Sequence, residues 1–141
     1  KLADSAAICL YLADRYSRGE LAPAIDAAER GRLLYWMFFT PAVIEPNMAE
    51  KAGGWEATRV RTGWGDFPTM VSTLEEGLAP GPWLLGKRFS AADVMVGSSS
   101  VFLKMFGMLP ESPVIEDYAE RCLARPAYAR AMAFNEDPSG S

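Results

Sequence analysis

The stretch Phe89-Ser90-Ala91-Ala92-Asp93-Val94 constrains the fold of this chain more than any other. A Ser followed three residues later by a carboxylate is the pattern of a capping box. The Ser hydroxyl accepts from the Asp93 backbone N–H, and the Asp93 carboxylate reaches back to the N–H of Ser90. Asp stands here where Glu or Gln is more usual. Phe89 before the box and Val94 behind it fit the hydrophobic staple that sets how the chain enters a helix. The helix that follows, 91–106, is nearly all apolar or small (Val94, Met95, Val96, Gly97, Ser98, Phe102, Leu103, Phe106). That composition predicts the central helix of a bundle, not a surface one. Ser90 and Asp93 are therefore structural residues, and Asp93→Ala is expected to cost about 1–3 kcal/mol.

Gly and Pro, 12 and 10 residues of 141, cut the rest of the chain into helix-sized pieces. Asp4-Ser5 stands where an N-cap belongs, and Ile8, Tyr11 and Leu12 give one helical face over 4–16. A charged lead-in (Asp26, Glu29, Arg30, Arg32) passes into the apolar run Leu33–Phe39. The pattern predicts one long helix over 26–51, bent at Pro41 and Pro46. Residues 52–65 form a loop whose Trp55 and Trp64 are expected to pack it onto the bundle. Phe67, Met70, Val71, Leu74 and Leu78 predict a helix over 66–79. Ser112 and Pro113 open another, with Ile115, Tyr118, Ala119, Cys122 and Leu123 on its inner face. Pro126 opens a last short helix to about residue 134. No segment alternates with period two, so the expected class is all-α: a bundle of about five helices with one leading helix.

Several chemistries are excluded. The chain has no His, which removes Ser-His and Cys-His nucleophiles and His-based zinc sites. Two Cys without a CxxC read as free thiols in a reducing cytosol; Cys122 belongs to an apolar stripe and Cys9 reads as a buried thiol, not a nucleophile. A net charge of −4 with no basic run argues against a nucleic-acid partner. No apolar run is long enough to span a membrane. No metal site and no phosphate loop is evident. The chain opens at Lys1 within a helical pattern and is expected to be a fragment or a trimmed product.

The runs LADSAAICLYLADRY, ERGRLLYWMFFTPAVIEPNM, GPWLLGKRFSAADVMVGSS and LARPAYARA resemble a bacterial glutathione transferase, from residue 2 to about 134. The G-x-x-F-S-x-A-D pattern from Gly86 to Asp93 is the most specific single element. The resemblance implies the last helix of a thioredoxin-like domain at 1–22, a helical C-terminal domain at 23–134 and a flexible tail at 135–141. It implies conjugation of the glutathione thiol to small hydrophobic electrophiles, a detoxification role, a cytoplasmic location and a homodimer with the long second helix at its interface. Glutathione would be the co-substrate. No catalytic residue falls within the chain, because the family carries its thiol-activating residue in the preceding domain.

By position, Asp4 and Ser5 would grip the γ-glutamyl end of glutathione. Its carboxylate suits a helix N-terminus with a Ser hydroxyl, and its ammonium suits the Asp4 carboxylate. Phe38, Pro41, Ala42 and Glu45 would line the wall of the electrophile pocket. A Glu near the sulfur disfavours a thiolate, so Glu45 is expected to meet a cationic group or a water. On the residues alone, Asp4-Ser5 is an N-cap, Phe38 is core and Glu45 is a solvated charge. The alternative is a non-catalytic glutathione-transferase-like binding or scaffold domain. Without a preceding domain, the Ile8/Leu12 face is expected to lie exposed.

Overall fold

Leu33, Met37, Thr40, Ile44 and Asn47 are each 2% exposed or less. Their steps of four, three, four and three draw one buried stripe along a single helical run that changes its winding half-way. The computed structural model describes residues 1–55, 62–109 and 111–136. Among them are the helices α1 (Ser5–Tyr16), α2 (Arg30–Phe39), α3 (Glu45–Gly53), α4 (Phe67–Leu78), α5 (Ala91–Met105), α6 (Pro113–Leu123) and α7 (Pro126–Glu136). A π-helical turn, Thr40–Ile44, joins α2 to α3. The described residues contain no strand, only isolated bridges in the 83–88 turn.

The second helix begins at Arg30, later than the charge pattern predicts. Before it, Ala27 N–H donates to Ala24 O and Arg30 N–H to Ala27 O, both at 3.0 Å, in successive tight turns. Nothing in 26–29 is buried, so no apolar face rewards an extra helical turn there. The expected bend at the prolines is a π-turn. Pro41 has no N–H to offer Met37, and Pro46 has none to offer Ala42. The backbone stays helical, and the Glu45 N–H closes on Thr40 O instead. α3 ends where Gly54 adopts φ 63° and donates to Glu50 O.

α5 packs against α1, α2, the π-turn and α6, which makes it the centre of the bundle. Gly97 permits its approach to α6: a Cβ there would stand 2.6 Å from Cys122 Sγ. Gly77 on α4 leaves room for the ring of Trp36 in the same way. Arg32 ties these layers together, donating from Nε to Leu84 O at 2.7 Å and from Nη2 to Gly77 O at 3.1 Å. α5 is not buried all round, however. Val94, Phe102, Met105 and Phe106 lie on the open side, Met105 being 70% exposed. An all-apolar composition set the expectation, but only the residues that face α1, α2 and α6 are covered.

α1 is fastened to α2 by the Arg30–Asp14 pair, at 2.6 Å and 2.7 Å. The Arg30 guanidinium holds the Asp14 carboxyl below its ordinary range, by hydrogen bonding first and against a smaller opposing effect of burial. Asp14 is about a third exposed, so solvent screens the pair. Asp14→Asn is expected to lower stability by about 0.5–1 kcal/mol at neutral pH. A depressed folded value means that the contribution is present above the unfolded Asp value near 3.9 and fades as pH falls through the folded one. Melting curves of the two proteins should therefore converge below about pH 3.

α7 continues to Glu136, past the boundary expected at 134. The remainder of the tail, 137–141, and the 56–61 part of the tryptophan loop lie outside the described residues.

Candidate functional site

The N-terminus of α1 is the first candidate surface. Asp4 is the N-cap, and its Oδ1 accepts from Ala6 N–H at 3.0 Å and Ala7 N–H at 3.2 Å. Its backbone sits at φ 75°, a left-handed value that costs a non-Gly residue on the order of 1–3 kcal/mol. Ser5 follows as the first helical residue, exposed, with an N–H that has no helical partner. The two cap bonds leave that N–H, the Ser5 hydroxyl and Asp4 Oδ2 for another molecule. Ala6 and Ala13 bury the inner side of α1, while Ile8, Tyr11 and Leu12 remain exposed.

The second surface is the outer side of the α2–α3 run. Phe38 is 54% exposed and not core, because the buried stripe passes through Met37 and Thr40 on its far side. Ala42 and Glu45 are exposed and Pro41 is half-buried. All four candidate wall residues thus point away from the core or border it. Asp4 and Thr40 each lie about 15 Å along their helices from the Asp14–Arg30 pair. Among the described residues no hydrogen bond or ring contact joins the two surfaces.

Asn47, which the sequence did not single out, and the two loop tryptophans, which it did, hold α3 in place. Buried Asn47 donates from Nδ2 to Val43 O at 2.9 Å and to Trp64 O at 3.4 Å. Trp64 Nε1 donates to Glu50 Oε2 at 3.1 Å, and Trp55 Nε1 to Ala49 O at 3.2 Å. Both indoles therefore fasten their loop to α3. The sequence offered only an Asn in register with the apolar stripe of Leu33, Met37 and Ile44.

The capping box is present, and its carboxylate does more than cap. Asp93, 1% exposed, accepts from Ser90 N–H at 2.8 Å and Ser90 Oγ at 3.0 Å on one oxygen. Its other oxygen accepts from Leu84 N–H at 2.9 Å and Tyr118 Oη at 3.0 Å. Burial pushes the Asp93 carboxyl up, opposed by these four bonds. Burial, followed by the Asp93 charge, pushes Tyr118 well above the usual phenol range. Phe89 and Val94 border one cavity. The Phe89 ring meets Trp83 edge-on at 4.9 Å and lies beneath the Arg125 guanidinium at 3.5 Å. An apolar cavity of about 300 Å³ opens beside it, lined by Val94, Gly97, Val101, Cys122 and Ala131. It lies between α5, α6 and α7, apart from both candidate surfaces.

Neither thiol is poised as a nucleophile. Burial raises Cys9, and raises Cys122 to about 11, with the Asp93 charge adding to the effect. Iodoacetamide labelling followed by mass spectrometry is expected to modify half-buried Cys9 well before buried Cys122; equal rates would contradict this packing. No group of His, Cys, Asp and Glu suited to a metal occurs among the described residues. No described helix is long and apolar enough to cross a membrane.

The family model for the glutathione S-transferase C-terminal domain matches residues 13–104. This chain belongs to that family. A solved glutathione transferase from Methylococcus capsulatus is 30% identical, with a TM-score of 0.73 over 94% of this chain and 66% of the other. A glutathione S-transferase from Actinobacillus pleuropneumoniae is 21% identical (TM-score 0.76, 99% of this chain, 68% of the other). A glutathione transferase homologue from Lodderomyces elongisporus, solved with two GSH per subunit, is 19% identical (TM-score 0.74, 94% and 66%). These last two bear on the fold alone. No curated protein matches the sequence. The chain spans about two thirds of the length of these relatives. The match to the glutathione S-transferase domain contains Phe38, Pro41, Ala42, Glu45, Ser90 and Asp93, whereas Asp4 and Ser5 precede it.

Proposed function

We propose that the protein joins the thiol of glutathione to small hydrophobic electrophiles, in the cytoplasm and as a homodimer paired through α2 and α3, in a detoxification role. In this reading 1–22 belongs to a thioredoxin-like unit, and the group that activates the thiol lies outside these 141 residues. The chain contributes binding. Ser5 takes the γ-glutamyl carboxylate on its hydroxyl and N–H, where the helix dipole favours an anion. Asp4 Oδ2 takes the neighbouring ammonium in a charge-assisted bond. Phe38, Pro41, Ala42 and Glu45 form one wall for the electrophile.

The observation that carries this reading is Asp4. A strained, exposed residue with one carboxylate oxygen committed to its helix and the other unused by the cap is what a helix-start ligand site needs. Strain of this kind concentrates at ligand clamps. The test is turnover. These 141 residues alone are expected to be inactive, so the test uses the protein together with its thiol-activating unit: incubation with glutathione and an aromatic halide should yield the thioether faster than the uncatalysed reaction. A rate equal to that of buffer would favour the scaffold reading.

A further inference from the structure

α1 carries Asp4 and Ser5 at its start, yet its hold on the bundle is slight. Its buried residues are Ala6 and Ala13, with Cys9 and Leu10 partly covered. Its larger side chains Ile8, Tyr11 and Leu12 stand exposed. α1 packs chiefly against α5. Two methyl groups let the helices come close, but they form no ridge that would stop α1 turning about its own axis. Among the described residues, the only side-chain hydrogen bonds from α1 to another helix are those of Asp14 with Arg30. Arg30 Nη1 donates to Asp14 Oδ1 at 2.6 Å and to Pro23 O at 3.0 Å, and Nη2 donates to Asp14 Oδ2 at 2.7 Å. The guanidinium thus joins the last turn of α1, the connecting segment and the first residue of α2. The Arg30 side chain is 11% exposed, and its planar fork fixes direction as well as distance.

We propose that the Asp14–Arg30 pair is a positioning device for the glutathione site: it fixes the rotation of α1, and with it the direction in which Asp4 and Ser5 face. A helix is stiff along its length, so a constraint at Asp14 is felt at Ser5, about 14 Å away. A turn of about 20° would carry a side-chain atom about 5 Å from the axis by about 2 Å. That exceeds the roughly 0.5 Å that a binding constellation tolerates. The inference rests on the transferase reading above, in which Asp4 and Ser5 hold glutathione. The pair can transmit no more than its own free energy, so its loss is felt as a modest effect confined to that ligand.

The test is steady-state turnover of 1-chloro-2,4-dinitrobenzene with glutathione, by the protein together with its thiol-activating unit, well below its melting temperature. Asp14→Ala removes the acceptor of the fork. It is expected to raise the KM for glutathione about two- to fivefold, the range that one screened ion pair can transmit. The KM for the chloride and kcat should hardly change. Asp14→Glu keeps the charge and should recover most of the loss. A merely structural pair would lower the melting temperature and leave the glutathione KM where it was. That result, or an equal rise in both KM values, overturns the inference and leaves the transferase reading standing. Absence of turnover by the unmodified protein overturns both.

Discussion

Asp93→Ala is expected to lower stability by about 3–5 kcal/mol and the melting temperature by on the order of 10–20 °C. The four bonds to its carboxylate come from three places: the start of α5, the 83–86 turn and the middle of α6. Alanine leaves the Leu84 and Ser90 N–H groups and the Tyr118 hydroxyl buried without an acceptor. Each such group costs about 1–3 kcal/mol, partly relieved by relaxation. A simple cap loss would cost about 1 kcal/mol. The size of the effect thus separates a residue that only caps a helix from one that joins three elements. Tyr118→Phe removes one donor together with its bond and should cost only about 1 kcal/mol. Thermal denaturation of both variants checks the pair, and a loss in Asp93→Ala no larger than that in Tyr118→Phe would contradict the network.

The second large effect concerns binding. Asp4→Asn keeps an oxygen that can cap Ala6 and Ala7, and Asn tolerates positive φ as well as Asp does. Its stability should change by less than about 0.5 kcal/mol. The negative charge is lost, however, and with it the proposed bond to the γ-glutamyl ammonium. Glutathione affinity is expected to fall about tenfold or more, the scale of one charge-assisted hydrogen bond. A variant that binds glutathione as the parent does would return Asp4 to a purely capping role.

What the sequence made legible followed the range of the interactions. The capping box at Ser90, the N-cap Ser112 and the amphipathic face of α4 are local patterns, and their helices lie close to where they were expected. The partners of Asp93 were not readable. Leu84 and Tyr118 lie 9 and 25 residues away, and no local spacing encodes such a meeting. The two prolines signalled a bend but not its form, because either a kink or a wider turn relieves the missing N–H groups. Phe38 was misplaced by the rule that aromatics at helical spacing are core; only the packed stripe decides which side faces in. Asp4 and Ser5 were readable as an N-cap, and nothing local separates a cap from a cap that also binds. That distinction came from resemblance alone.

The most direct test of the account is a calorimetric titration of the protein with glutathione and, in parallel, with cysteinylglycine, which lacks the γ-glutamyl group. If Asp4 and Ser5 grip that group, glutathione binds, cysteinylglycine binds at least tenfold more weakly, and Asp4→Asn narrows the gap. Equal affinity for the two ligands, or no heat with either, would contradict it.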